Sequence, residues 1–61
     1  MDFVLCGGDL GGTTASFPTG TAGETISLDV GMRLAVYEIR TYEIDGLSET
    51  QAVFIGYIAK S

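Results

Sequence analysis

The fold is decided by the stretch Met32-Arg-Leu-Ala-Val-Tyr-Glu-Ile-Arg-Thr-Tyr-Glu-Ile44, which an Asp-Gly turn and a short link separate from Gln51-Ala-Val-Phe-Ile-Gly-Tyr-Ile-Ala59. Both segments are rich in aromatic and Cβ-branched residues, which is typical of β-strands. Antiparallel pairing with Thr41 opposite Val53 collects apolar residues on one surface, namely Ile39 with Ile55, Tyr37 with Tyr57 and Ala35 with Ala59. The opposite surface is mixed, with Glu38 against Gly56 and Arg40 against Phe54. The sequence therefore predicts one long hairpin.

Three shorter strands are predicted before this hairpin. Residues 2–6 form an apolar run that ends in the glycine-rich loop 7–12, and residues 13–17 follow as a second strand. Residues 24–30 alternate strictly, which places Ile26, Leu28 and Val30 on one face of a third strand. With the two strands of the hairpin, the chain has five predicted strands.

The apolar positions of the long strand change sides along its length. Met32, Leu34 and Val36 share one side, whereas Tyr37 and Ile39 share the other. A strand of this kind bends, so we expect a β-bulge near Tyr37 and Glu38 that lets the strand join two sheets. We predict an all-β fold over the single domain 1–61: a small five-stranded SH3-like or OB-like barrel or sandwich that ends in a long antiparallel hairpin.

A helical alternative remains open for the same segments. Residues at helical spacing recur in the first of them, and Ser48-Glu-Thr-Gln51 has the pattern of a capping box. The alternative is an α+β fold with a helix near 32–42 or 49–59. Against it stand the Cβ-branched residues and Gly56, which would weaken a helix interior by about 1 kcal/mol.

Size and charge restrict the classes of partner. The chain has 61 residues, with eight acidic and three basic side chains and a net charge of −5. A domain this small buries only about 60% of its unfolded surface, so self-association or a bound partner can supply part of its stability. The acidic balance repels phosphate and leaves only Arg33, Arg40 and Lys60 to bind it, so we expect no direct contact with nucleic acid. It favours protein partners with a basic surface.

The cysteine count and the N-terminal sequence indicate the cellular setting. The one cysteine, Cys6, excludes an intramolecular disulfide and favours a reducing, cytoplasmic environment. The N-terminal segment carries Asp2 where a signal peptide needs positive charge, and its apolar run is too short to cross a membrane. We therefore expect a protein that is neither secreted nor inserted in a membrane.

The residue inventory argues against catalysis. The sequence has no histidine, the commonest general base near neutral pH and a common metal ligand, so a hydrolase triad of the usual form is excluded. A zinc site within one chain would need carboxylates for most of its ligands, which is rare in structural zinc sites. We expect no enzyme activity, no catalytic or metal-binding residues and no cofactor.

One local motif has a chemical meaning. Gly8-Asp-Leu-Gly-Gly-Thr-Thr14 lies between two predicted strands. It resembles the first phosphate-binding loop of the actin, hexokinase and sugar-kinase superfamily over about seven residues. The resemblance implies that loop 7–14 binds phosphate or nucleotide through Asp9, Gly11, Gly12 and Thr13, with the acid near a metal and the glycines allowing close backbone approach. That superfamily encloses its nucleotide between two large domains, which 61 residues cannot form.

The densest acidic patch surrounds the turn of the long hairpin. Glu43, Asp45 and Glu49 lie there, with Leu47 at the centre of the patch as an apolar anchor. The leading hypothesis is therefore a non-enzymatic interaction module that binds and inhibits another protein with a basic surface, of the kind that a phage or mobile element could encode. The alternative is a structural homo-oligomeric subunit, such as a virion component, whose exposed strand edges pair between copies.

Overall fold

The computed structural model describes residues 1–60, and all regular structure in that range is β. The strands are β1 (Asp2–Cys6), β2 (Thr14–Ser16), β3 (Thr25–Asp29), β4 (Arg33–Ile44) and β5 (Leu47–Ala59). The predicted all-β fold with five strands and a long terminal hairpin is confirmed. The helical alternative is wrong, because the segments near 32–42 and 49–59 lie in β4 and β5.

The five strands form one open sheet in the order β2-β1-β5-β4-β3. β1 runs parallel to β5, and every other neighbouring pair is antiparallel. β2 and β3 lie at the two edges, so the sheet is not closed into a barrel in the part of the chain that the structure describes.

The predicted register of the hairpin is wrong by three residues near the turn. Ile44 pairs with Leu47, and Thr41 pairs with Thr50 rather than with Val53. The reason is the turn, since Asp45 and Gly46 have φ angles of 52° and 79° and so form a two-residue connection. Positive φ at both central residues is characteristic of the type I′ turn, whose twist matches that of the flanking strands.

A bulge changes the register along the hairpin. Tyr37 pairs with Phe54 whereas Val36 pairs with Gly56, so Ile55 is the extra residue and lies on β5. The irregularity falls between Val36 and Tyr37, close to the predicted position. Beyond it Ala35 pairs with Tyr57, not with Ala59 as the predicted register required.

The core lies on one face of the sheet. Its fully buried members are Leu5, Phe17, Ala35, Tyr37, Ile39 and Ala52. The predicted face with Ala35, Tyr37 and Ile39 is therefore confirmed for β4, and Ile26, Leu28 and Val30 pack against the same core. The glycine-rich loop after β1 covers part of this face, because the buried Tyr37 hydroxyl donates a hydrogen bond to the carbonyl oxygen of Gly7 at 2.7 Å.

Candidate protein-interaction site

The distal part of the hairpin projects beyond the rest of the sheet. β3 and the chain before it pair with β4 only as far as Ile39, and β1 pairs with β5 only at Ala52 and Val53. Residues 40–51, here called the arm, therefore have no neighbouring strand on either side within the described chain. The Cα positions extend over 41 × 19 × 16 Å, so the molecule is elongated. A free two-stranded ribbon offers unpaired backbone groups along both edges.

The two faces of the arm differ in chemistry. Alternation along the strands places Thr41 and Glu43 on the face that continues the core side, with Thr50 and Ser48 as their partners. The opposite face carries Tyr42, Ile44 and Leu47, which are 39%, 58% and 74% exposed. The tip of the arm is thus an apolar cluster that is exposed because it lies far from the core.

The four predicted binding residues are all at the tip, but they do not share one face. Leu47 and Glu49 lie on the face with Tyr42, Glu43 lies on the other face, and Asp45 occupies the turn. All four are exposed. Asp45 and Glu49 therefore border the apolar cluster, whereas Glu43 adds negative charge on the reverse face of the arm.

The only base of the arm is engaged within the chain. Arg40 Nε donates to Glu38 Oε1 at 2.8 Å. The carboxylate of Glu38, followed by Tyr42, raises the pKa of Arg40. Because the tip acids Glu43, Asp45 and Glu49 have no basic neighbour in residues 41–51, the end of the arm carries uncompensated negative charge.

The outer face of the sheet body continues the apolar face of the arm. Along β4 this face presents Leu34, Val36, Glu38, Arg40, Tyr42 and Ile44, a row that we call the β4 face. Beside it lie Ile55 and Ile58 of β5, which are 45% and 49% exposed, and Val4 of β1, which is 54% exposed. The predicted register, with Ile55 opposite Ile39 on the buried side, is wrong, and Ile55 lies on the partly exposed outer side.

The bases at the far end of the molecule are also engaged in local contacts. Arg33 Cζ lies 3.4 Å from the centroid of the Tyr57 ring, and the Tyr57 hydroxyl donates to Asp9. This hydrogen bond raises the pKa of Tyr57. Lys60 Nζ lies 2.8 Å from Asp29, and that contact lowers the pKa of the Asp29 carboxyl. The contact between Tyr57 and Asp9 joins residues 48 positions apart, so no local sequence signal could have revealed it.

The glycine-rich loop forms its own hydrogen bonds. The N–H groups of Gly11, Gly12 and Thr13 donate to the carbonyl oxygens of Gly8, Leu5 and Leu10 respectively. The Thr13 hydroxyl also donates to Leu10, and the Asp9 carboxylate accepts from Tyr57. The backbone donors of Gly11, Gly12 and Thr13, which the predicted phosphate site uses, are therefore engaged within the loop.

Cys6 lies on the outer face and is half-buried. Its Sγ is 3.7 Å from the side-chain oxygen of Gln51, a long and weak hydrogen bond. Within residues 1–60 the structure contains no cluster of three side chains suited to a metal ion, no pocket, and no helix that could span a membrane.

Comparison of the chain with protein-family models, with curated proteins and with solved structures gives no match.

Proposed function

We propose that this protein is a non-enzymatic interaction module that binds another protein through the arm. The supporting observation is the exposure of Ile44 and Leu47 at the end of a ribbon that makes no contribution to the core. An isolated two-stranded hairpin is marginally stable in water, and an apolar tip on it gains most when a partner covers it.

The chemistry of the tip defines the partner. Leu47 is the most exposed side chain of the apolar cluster and is the anchor of the interface. Asp45 and Glu49 border it, and Glu43 adds negative charge on the reverse face, so the complementary surface is apolar with lysine or arginine beside it. The acids accelerate the encounter through long-range attraction, and the apolar residues hold the complex.

The setting and consequence of binding belong to the same proposal. A cytoplasmic location is in keeping with the free thiol of Cys6. Inhibition of the partner would follow from occupation of its surface by the arm. An origin in a phage or mobile element is a further hypothesis, based on the small size and the absence of histidine.

The test is comparative capture with immobilised protein. Parent chain, Glu43→Gln/Glu49→Gln and Glu24→Gln/Asp29→Asn are incubated with lysate of the source cells, and the bound proteins are quantified by mass spectrometry. Both double variants lose two negative charges, but only the first changes the arm. We expect proteins that the parent and the body variant retain and the arm variant loses, and we expect added salt to release them.

A second pair of variants tests the apolar anchor. Leu47→Ser should abolish the same capture, whereas Met32→Ser, which changes a side chain that is 93% exposed at the other end of β4, should leave it intact. If the arm variants retain the same proteins in the same amounts as the parent, the arm is not the binding element.

A further inference from the structure

The residues of the β4 face form matched pairs about the position of Ile39: the central pair has opposite charges, and the outer pairs are apolar. Starting from Ile39 and moving outward in both directions, the face presents Glu38 on one side and Arg40 on the other. The next pair is Val36 and Tyr42, both apolar. The last pair is Leu34 and Ile44, each five residues from Ile39 and therefore about 17 Å from it along the strand.

A two-fold axis that runs parallel to the sheet, perpendicular to β4 and level with Ile39, places a second copy face to face on the first and makes this pattern complementary. Glu38 of one copy then meets Arg40 of a second copy, and the reciprocal contact forms on the other side of the axis. Tyr42 of each copy covers Val36 of the other, and Ile44 covers Leu34. Isologous interfaces require self-complementarity of this kind, in which contacts i to j and j to i occur together.

Charged residues also lie beyond both ends of the face. Asp45 in the turn and Arg33 at the start of β4 are each six residues from Ile39, but Arg33 lies on the core side of β4, over the Tyr57 ring. The antiparallel arrangement brings the acidic tip of one copy toward Arg33 and Lys60 of the other, the two bases at the far end of the molecule. Within the β4 face itself, two chains that each carry a net charge of −5 meet with opposite charges adjacent at Glu38 and Arg40.

The available surface is adequate for a specific dimer. The molecule extends 41 × 19 Å along its two longest axes. A rectangle of these overall dimensions matches the roughly 800 Å² that each partner buries in a standard protein interface, so the dimer uses the whole outer side of the sheet and arm. The ion pair between Glu38 and Arg40, with side chains 29% and 47% exposed, would lie at the centre, and apolar residues would lie on both sides of it.

We propose that the partner of the β4 face is a second copy of this chain, bound antiparallel and face to face about a two-fold axis at Ile39. This inference rests on the proposed function, in that it uses the arm as the binding element, and it names the occupant of the arm's apolar face. In this dimer the exposed side chains Ile44 and Leu47 pack on the sheet of the second copy, outside its arm. Glu43 stays accessible on the opposite face of the arm.

The test uses charge reversal and measures native mass by light scattering over a wide concentration range. The parent is expected to reach twice the chain mass of 6.4 kDa as its concentration rises. Arg40→Glu places like charges across the axis and should raise the dimer dissociation constant at least about tenfold. The double variant Glu38→Arg/Arg40→Glu reverses both members of the pair, so it should restore dimerisation.

Two results would overturn this inference. One is a parent that stays monomeric up to millimolar concentration, and the other is a dimer that Arg40→Glu leaves unchanged. Far-ultraviolet circular dichroism of each variant at low concentration shows whether it folds; if Arg40→Glu does not, Ile44→Ser at the exposed tip provides the same test. A monomeric parent that still captures proteins through the arm would reject the dimer and leave the proposed function standing.

Discussion

The hydroxyl of Tyr37 donates a hydrogen bond to the carbonyl oxygen of Gly7 at 2.7 Å and accepts one from the N–H of Leu10 at 3.3 Å. The Tyr37 side chain is fully buried, and both of its partners belong to the loop between β1 and β2. This hydroxyl therefore attaches the glycine-rich loop to the core face of the sheet.

Removing that hydroxyl should destabilise the protein. Tyr37→Phe removes two partly buried hydrogen bonds, to the carbonyl of Gly7 and from the N–H of Leu10, which costs about 1 kcal/mol or more. Urea denaturation monitored by circular dichroism measures the change in the free energy of unfolding. Tyr42→Phe is the control, because Tyr42 lies on the exposed arm and its loss should change that free energy by less than about 0.5 kcal/mol. Equal effects of the two substitutions would contradict the anchoring role of Tyr37.

Gly8 should be far less tolerant of substitution than Gly12. Both have positive φ, +68° and +89°, so alanine at either position costs about 1–2 kcal/mol of backbone strain. At Gly8 the added Cβ would also lie 2.7 Å from Phe54 Cδ1 and from the Tyr37 hydroxyl, whereas at Gly12 it meets nothing within 4 Å.

Thermal or urea denaturation of the two alanine variants separates these effects. Gly12→Ala should lose only the stability that backbone strain costs. Gly8→Ala should lose that amount and, in addition, the stability of the displaced Tyr37 contact. A Gly8→Ala variant as stable as Gly12→Ala would mean that the loop can move away from the core without cost.

Stability should fall in acid because of two surface carboxylates. Hydrogen bonds from the Thr19 hydroxyl and backbone lower the pKa of Glu24, and Lys60 followed by the Gly31 backbone lowers the pKa of Asp29. A lowered pKa in the folded state contributes stability that is present above the unfolded-state values, near 4.5 and 3.8, and that is lost as the pH falls through the folded-state values.

Melting temperatures measured from pH 6 to pH 2 check this prediction. Glu24→Gln and Asp29→Asn should each flatten the acid limb of the curve, and the double variant should flatten it most. An acid limb of the same steepness in all three would assign acid sensitivity to other groups.

The opposite dependence is expected in alkali. The hydrogen bond to Asp9 raises the pKa of Tyr57 above its ordinary value of 10.0. Its contribution to stability is therefore complete below about pH 10 and is lost as the pH rises through the higher folded-state value. Tyr57→Phe and Asp9→Asn should both reduce the loss of stability between pH 9 and pH 12, measured by urea denaturation at each pH. No difference from the parent would show that this hydrogen bond does not form in solution.

The strands could be predicted from the sequence, but the pairing of the hairpin could not. A pairing of Ile39 with Ile55 assumes that both strands bury their apolar residues on the same face. The structure instead pairs Ile39 with Ala52, because the Asp45-Gly46 turn sets the register; the bulge at Ile55 shifts it only from Val36 onward. Apolar matching failed because the outer face of the sheet is uncovered, so Ile55 stays partly exposed there.

The candidate site was predictable in composition and not in shape. The acids and Leu47 were found because they cluster within a few residues of the turn. That the tip stands away from the sheet depends on where β1 and β3 stop pairing, which local sequence does not encode. The matched pairs of the β4 face can be seen in the sequence, but they have meaning only once Leu34 to Ile44 is known to be one continuous strand with an uncovered face.

The central claim, that the β4 face and arm bind a second copy of this chain, is tested most directly by mixing two charge-reversed chains. Glu38→Arg and Arg40→Glu should each be monomeric alone, because each places like charges across the two-fold axis. Mixed in equal amounts, they should form a heterodimer of twice the chain mass, measured by native mass spectrometry and confirmed by light scattering. A mixture in which both chains stay monomeric, or homodimers that form in each separate sample, would contradict the claim.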